Sequence, residues 1–212
     1  MGRPSNPLLS RDAIAAAALD LAVEDGAEAV TMRAIAARLG VRGPSLYNHV
    51  ASKDDLLDAM TAHISNELRD AVDESLPWRD GVARYARTYR KVFLRHHAIL
   101  PVIARRPVQT REALDGYDAL ARLLLALRLP AAEVAEVSAA VDYLVLGSVL
   151  ETYTAGFVRP AGGYRPDHPA LADTLEAAGE APGGLAGLDE RGFERGLALL
   201  LDGLAGRVAR LG

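Results

Sequence analysis

The run GVRGPSLYNHVASK, Gly40 to Lys53, gathers Arg42, Ser45, Tyr47, Asn48, His49 and Lys53 within twelve residues and contains no acid. Cationic and short hydrogen-bonding side chains in that mixture suit phosphates and base edges rather than bond-making chemistry. Elsewhere the residues that usually catalyse are dispersed. His96 and His97 are adjacent, so on a helix they point about 100° apart and cannot chelate one ion. His63 and His168 have no partner at metal-ligand spacing, and the absence of cysteine removes thiolate sites and disulfides. No nucleophile–base pair or phosphate loop can be found. The reading is therefore not an enzyme, with no metal and no cofactor.

A short basic segment can read DNA only if other elements hold it. Ser10 is placed to cap a helix running to Asp25, with Ile14, Ala17, Ala18 and Leu21 on one stripe and Gly26 as its stop. Thr31 caps a second helix, Met32 to Leu39, and Gly40 ends it. Pro44 suits the first turn of a third, seven-residue helix to about His49. That helix is too short to persist alone in water, so Leu46 and Val50 must anchor it on the first two. SKDD, Ser52 to Asp55, reads as a capping box that opens a longer helix to about Glu74. Three helices with a glycine turn between the second and third make a helix-turn-helix layout.

The rest of the chain reads as all-helical: Gly81–His97, Thr110–Leu127, a long helix from Ala131 to about Ala155, a short segment near 171–178, and Asp189–Leu211. Glycine- and proline-rich loops lie between the last three. The expected fold is all-α, an N-terminal three-helix helix-turn-helix domain over 1–52 followed by a second helical domain over 53–212. Half of the 212 residues are hydrophobic and a quarter charged, the balance of a globular protein. No apolar run reaches membrane-spanning length and no secretion signal opens the chain, so a cytoplasmic protein without a membrane partner is expected. The net charge of −4 conceals asymmetry: Ala29 to Lys53 carries Arg33, Arg38, Arg42 and Lys53 without an acid, whereas residues 112–212 hold fifteen acids and eight bases.

The segment TMRAIAARLGVRGPSLYNHVASKDDLLDAM, Thr31 to Met60, resembles the DNA-binding domain of the TetR family of bacterial repressors. PWRDGVARYARTYRKVFLRH from Pro77, LGSVLE from Leu146 and FERGLALLLDGLAGRV from Phe193 resemble the ligand-binding domain of its tetracycline-repressor branch. The resemblance implies double-stranded operator DNA as partner. It assigns base reading to Arg42, Pro44 and Ser45, with Gly43 at a base-reading position where it can only permit close approach, and phosphate or flanking contacts to Tyr47, Asn48, His49 and Lys53. Thr31 and Arg33 would add backbone contacts from the second helix. Gly43, having no side chain, departs from branch members with a longer polar residue there, which implies a different operator. Arg3 and Arg11 are further candidates for phosphate contact. Arg38 reads as a solvated charge.

By the same resemblance two helices per protomer form a four-helix homodimer interface, here Val134, Val137, Val141, Leu144 and Ser148 with Phe193, Leu197, Leu200, Leu204 and Val208. The alternative for these stripes is ordinary intrachain core. A mostly apolar ligand pocket is implied between interface and head, with Arg69, Tyr85, Tyr89, Ile103, Tyr117 and Glu151 as candidates. Tetracycline repressors place a His and an Asn where this chain has Arg69 and Tyr85, and a metal-ligating His where it has Val102 or Ile103. A magnesium–tetracycline chelate is therefore not expected; an aromatic or polyketide-like organic ligand is. The Arg84 to Arg95 stripe reads as a solvated face, or else as a diffuse attraction for DNA. The expected function is a repressor released from a palindromic operator by a small ligand, with the helix after Ser52 as lever. A regulator without small-molecule input and a helical enzyme that lost its DNA site are the alternatives.

Overall fold

A computed structural model describes residues 9–69, 71–73 and 75–211, so Arg3 and Glu74 lie outside the described residues. Ten α-helices and no strand occur among the described residues. The head is α1 (Arg11–Asp25), α2 (Met32–Leu39), α3 (Gly43–Leu46) and the start of α4 (Lys53–Glu67). The body adds α5 (Trp78–Arg95), α6 (Leu100–Ile103), α7 (Arg111–Leu125), α8 (Ala131–Leu150), α9 (Pro169–Glu180) and α10 (Leu188–Ala209).

The caps act as their sequences suggest. Ser10, Thr31 and Ser52 each accept the backbone N–H three residues on, from Ala13, Ala34 and Asp55, all at 3.1 Å. Gly40 closes α2 with φ 65° and ψ 29°, a left-handed conformation that costs a side chain energy but not glycine. The box at Ser52 differs in one detail: the Asp55 carboxylate accepts from the Ala51 N–H at 2.8 Å, one residue earlier than the reciprocal bond expected.

Three expectations about helix ends are corrected. The third helix is one turn, not seven residues, because the N–H groups of His49 and Val50 both turn back to the Leu46 carbonyl, each at 2.9 Å. α4 ends at Glu67, where the Leu68 N–H bonds the Ser65 carbonyl and tightens the last turn. α8 stops at Leu150 rather than near Ala155, because Asp189 binds the Tyr153 N–H at 2.9 Å and the Thr154 hydroxyl at 2.7 Å and turns the chain. The one-turn α6, which was not anticipated, starts next to Pro101.

Among the described residues two apolar cores meet along α5, and Leu68, one residue past α4, packs against both. The first joins Ile14, Ala18, Ile35, Leu46, Val50, Met60 and Ile64 and runs on into Val92, Ile99, Leu100 and Ile103. Leu46 and Val50 are wholly buried in it, so the one-turn α3 is held by its neighbours. The second joins Val82, Ala86, Leu120, Leu124, Val141 and Leu197 between α5, α7, α8 and α10.

Candidate nucleic-acid interface and ligand cavity

The residues expected to meet DNA lie on α2, α3 and the corner that leads into α4, and most of them are exposed. Thr31, Arg33, Arg42, Pro44, Tyr47, Asn48, His49 and Lys53 are exposed, and Gly43 and Ser45 are half-buried. Tyr47 keeps 55% of its surface in solvent although it adjoins the buried Leu46. Pro44 sits in the first turn of α3 and Lys53 opens α4. Among the described residues Arg33, Arg42 and Lys53 make no ion pair, in a chain where most arginines do.

The acids beside Lys53 are occupied elsewhere. Asp55 holds Arg11 at 2.5 Å, and Arg11 also donates to the carbonyls of His49 and Asp55. Arg11 is thus a strut from α1 to the α3–α4 corner, not an arm reaching for phosphate. Its guanidinium and the Ala51 N–H hold the Asp55 carboxyl below the usual carboxylate range, the N–H having the larger effect. Asp54 does not cap α4; it takes Arg106 at 2.7 Å. Arg38 is likewise not a free charge, since it grips Glu24 through two nitrogens and ties α2 to α1. With both acids engaged, the corner presents Lys53 unopposed.

A cavity of about 240 Å³ lies between α4, α5, α7 and α8. Tyr85, Tyr89, Ile103 and Tyr117, four of the six expected ligand residues, line it. Ile103 rather than Val102 points inward, the latter being exposed. The helical i, i+4 spacing stacks Tyr85, Tyr89 and Phe93 along α5, with centroid separations of 5.7 and 4.7 Å. Asp142 on α8 accepts hydrogen bonds from the Tyr89 hydroxyl at 2.8 Å and the Tyr117 hydroxyl at 3.4 Å. Burial pushes the Asp142 carboxyl up despite those two donors, and burial likewise raises Tyr85 and Tyr89.

Arg69 and Glu151 are elsewhere. Arg69 is exposed and donates to Asn66 at 2.5 Å, on a shallower hollow beside α7. Glu151, just past α8, borders a separate surface hollow with Tyr153 and Asp189. Asp142 and Arg106 were missed by sequence reasoning, yet both line the cavity. One signal was available: Asp142 is the sole charge in the fourteen-residue run VSAAVDYLVLGSVL.

Against this geometry, a family model described as "Bacterial regulatory proteins, tetR family" matches residues 14–60. A second, "Tetracyclin repressor-like, C-terminal domain", matches residues 73–208. The chain belongs to the TetR family. It is thereby a DNA-binding transcriptional regulator and not an enzyme. An HTH-type transcriptional regulator of Saccharopolyspora erythraea is 31% identical over 95% of this chain and 86% of its own length. The class A tetracycline repressor protein from transposon 1721 of Escherichia coli is also 31% identical, over 94% of this chain and 92% of its own. The crystal structure of a possible TetR family transcriptional regulator from Streptomyces coelicolor A3(2) superposes with a TM-score of 0.76, at 30% identity, covering 93% of this chain and 99% of that one.

In this TetR chain the expected dimer stripes require correction. Val134, Val141, Phe193, Leu197 and Leu204 are buried in the protomer's own second core, Phe193 being only 3% exposed, so the intrachain reading holds for them. Val137, Leu144, Ser148, Leu200 and Val208 are partly exposed. The outermost face lies one step round each helix. It shows Ala140, Tyr143, Gly147 and Leu150 on α8, and Gly192, Leu199 and Gly203 on α10. Tyr143 is 74% and Leu199 64% exposed. The stripe chosen from sequence was the more apolar side of each helix, which is the side a protomer needs for itself. The arginine stripe of α5 is also not free: Arg87 pairs with Glu194 at 2.7 Å, Arg84 with Asp73 at 3.0 Å, and Arg90 and Arg95 with Glu190 and Glu67.

Proposed function

We propose that this regulator is a cytoplasmic homodimeric repressor that grips a palindromic operator and releases it when a small organic ligand enters the cavity. The observation that carries the reading is that Arg33 on α2, Arg42 at the N-cap of α3 and Lys53 at the start of α4 are all exposed and make no ion pair among the described residues. Helix-turn-helix proteins read base edges from that end and fix their register through surrounding phosphate contacts. Arg42, Gly43, Pro44 and Ser45 meet bases; Thr31, Arg33, Tyr47, Asn48, His49 and Lys53 meet backbone or flanking bases.

A single head makes few contacts, so two are needed, reading half-sites about 34–36 Å apart. The α8–α10 face supplies the second protomer. Tyr143, Leu150 and Leu199 fill the interface, with Val137, Leu144, Ser148, Leu200 and Val208 at its inner margin. Residues 1–52 form the reading domain and 53–212 the sensing and dimerisation domain, with α4 in contact with both cores. The name of the E. coli relative, a tetracycline repressor, favours repression and a polycyclic aromatic ligand. The residues favour an aromatic ligand without its metal chelate, because Ile103 lines the cavity where that branch has a metal-binding histidine.

Arg106 links ligand to DNA. It lines the cavity and also holds Asp54 and Asp58, at 2.7 and 2.9 Å, in the first turns of α4 next to Lys53. The test is retention of DNA fragments flanking the protein's own gene, with competitor DNA present. Specific retention that Tyr47→Ala and Lys53→Ala abolish is the expected result. Retention of no fragment, or equal retention by both variants, overturns the reading.

A further inference from the structure

We infer that the cavity selects an organic ammonium ion carried on an aromatic skeleton, with Asp142 as its counter-charge and the tyrosine rings as its walls. This rests on the cavity being the ligand site proposed above, and it assigns that site a charge preference.

Asp142 sets the charge of the cavity. Its carboxylate is half-buried in a largely aromatic cavity, and Oδ1 accepts both hydroxyls, from Tyr89 and Tyr117. No described residue bonds Oδ2, and among the described residues Asp142 has no ion-pair partner. Two neutral donors orient a carboxylate but do not neutralise it. A carboxylate removed from water seeks a proton or a cation, and burial does raise the Asp142 carboxyl above its ordinary range.

The other charges in the cavity reinforce the sign. Glu112 adds a second acid to the lining. Arg106 is the one base among the described residues of the lining; its terminal nitrogens are already engaged by two carboxylates, Asp54 and Asp58, which leaves only Nε for a neutral acceptor. The trio of Arg106 with its two aspartates is net negative, so it does not invite an anion. The walls agree with the charge. Tyr85, Tyr89, Phe93 and Tyr117 present ring faces and edges from two helices, and ring faces attract cations while hydroxyl oxygens accept from N–H. The space is smaller than the ~300–1,000 Å³ usual for drug-sized ligands, which suits a compact skeleton.

Three matched probes isolate charge from shape: 1-naphthylmethylammonium, 1-naphthylmethanol and 1-naphthylacetate, titrated by calorimetry into the full-length protein without DNA. The ammonium should bind about tenfold or more tighter than the acetate, or about 1.4 kcal/mol, with the alcohol between. Asp142→Asn should remove most of that preference by weakening the ammonium and not the acetate. Glu112→Gln, at the other acid, should change it less. Equal or tighter binding of the acetate, an ammonium with no measurable affinity at millimolar concentration, or an Asp142→Asn protein that keeps the full preference would each overturn the assignment. If Asp142→Asn fails to fold, the wild-type order of the three probes still decides. Operator binding is scored separately without any probe. A protein that binds its operator yet prefers the acetate refutes this inference alone, whereas one that never binds DNA refutes the repressor reading.

Discussion

Lys53→Ala is the substitution whose consequence can be worked most directly. Lys53 is exposed at the first position of α4, and its neighbouring acids are engaged by Arg11 and Arg106 rather than by itself. Each phosphate neutralised by a protein cation contributes about 0.9 to the slope of log K against log salt on duplex DNA. The proposed homodimer would carry the substitution twice, so the slope should shrink by about 1.8. If Arg33, Arg42 and Lys53 of both heads all face phosphates, the wild-type slope is about −5.4 and a fourfold rise in salt weakens binding roughly 2,000-fold. The variant, at about −3.6, should lose only roughly 150-fold over the same range. The difference between the two slopes is the same whether Arg42 meets a phosphate or a guanine. Fluorescence anisotropy on a labelled operator fragment between about 50 and 200 mM salt measures both. Arg79→Ala is the control, since Arg79 pairs with Asp202 at 2.5 Å on α10 and should leave the slope untouched. A Lys53→Ala slope equal to the wild type would refute the phosphate contact, even if affinity fell.

The other predictions concern assembly and stability. Tyr143→Asp combined with Leu199→Asp should convert the proposed dimer to a folded monomer, read by light scattering and by unchanged helical circular dichroism; a persisting dimer would refute the α8–α10 face. Leu46→Ala should cost about 2–5 kcal/mol, seen as a lowered thermal midpoint, because Leu46 is wholly buried and α3 has no internal means of support. Asp55 adds a pH dependence whose sign follows from its lowered carboxyl. The stability it supplies is fully present above the unfolded value of about 3.9 and is lost as pH falls through the lower folded value. Asp55→Ala should therefore cost about 0.5–2 kcal/mol at neutral pH, with wild type and variant converging in acid. A constant gap across the titration would show that Asp55 acts without its charge.

What could be seen in the sequence follows from interaction range. Caps, the Gly40 stop and the Pro44 start depend on residues within four positions, so where each helix of the head begins was legible, whereas the one-turn length of α3 was not. The stripe of Tyr85 and Tyr89 was legible because one helix face carries it. The contribution of Asp142 was not, because its meaning depends on Tyr89 and Tyr117, 53 and 25 residues away, on other helices. Arg106 was hidden for the same reason: its partners Asp54 and Asp58 are 52 and 48 residues upstream, and locally it is only a charge between prolines. The dimer stripes erred differently. Periodicity identifies an apolar face but cannot say whether that face is buried by its own chain or by a second copy. Phe193 and Leu197 went to the former, leaving Tyr143 and Leu199 uncovered.

Release of DNA by a ligand requires more than two sites; it requires that the ligand bind one arrangement of the heads more tightly than the other. The part that senses occupancy must therefore touch both the cavity and an element that carries the reading helices. Arg106 meets both conditions, because it lines the cavity, where its buried Nε has no partner among the described residues, while its terminal nitrogens hold Asp54 and Asp58 on α4. An unsatisfied buried donor costs free energy that an acceptor on the ligand recovers, and drawing the guanidinium inward strains the two aspartate bonds. Arg106→Met keeps the length and apolar contact of the side chain and removes every donor. Operator binding and ligand binding should each survive in this variant, while the factor by which one changes the other falls towards one. Linkage makes the test stringent, since the effect of ligand on operator affinity and of operator on ligand affinity must shrink by the same factor. Full coupling in Arg106→Met, measured in either direction, would place the transmission elsewhere along α4.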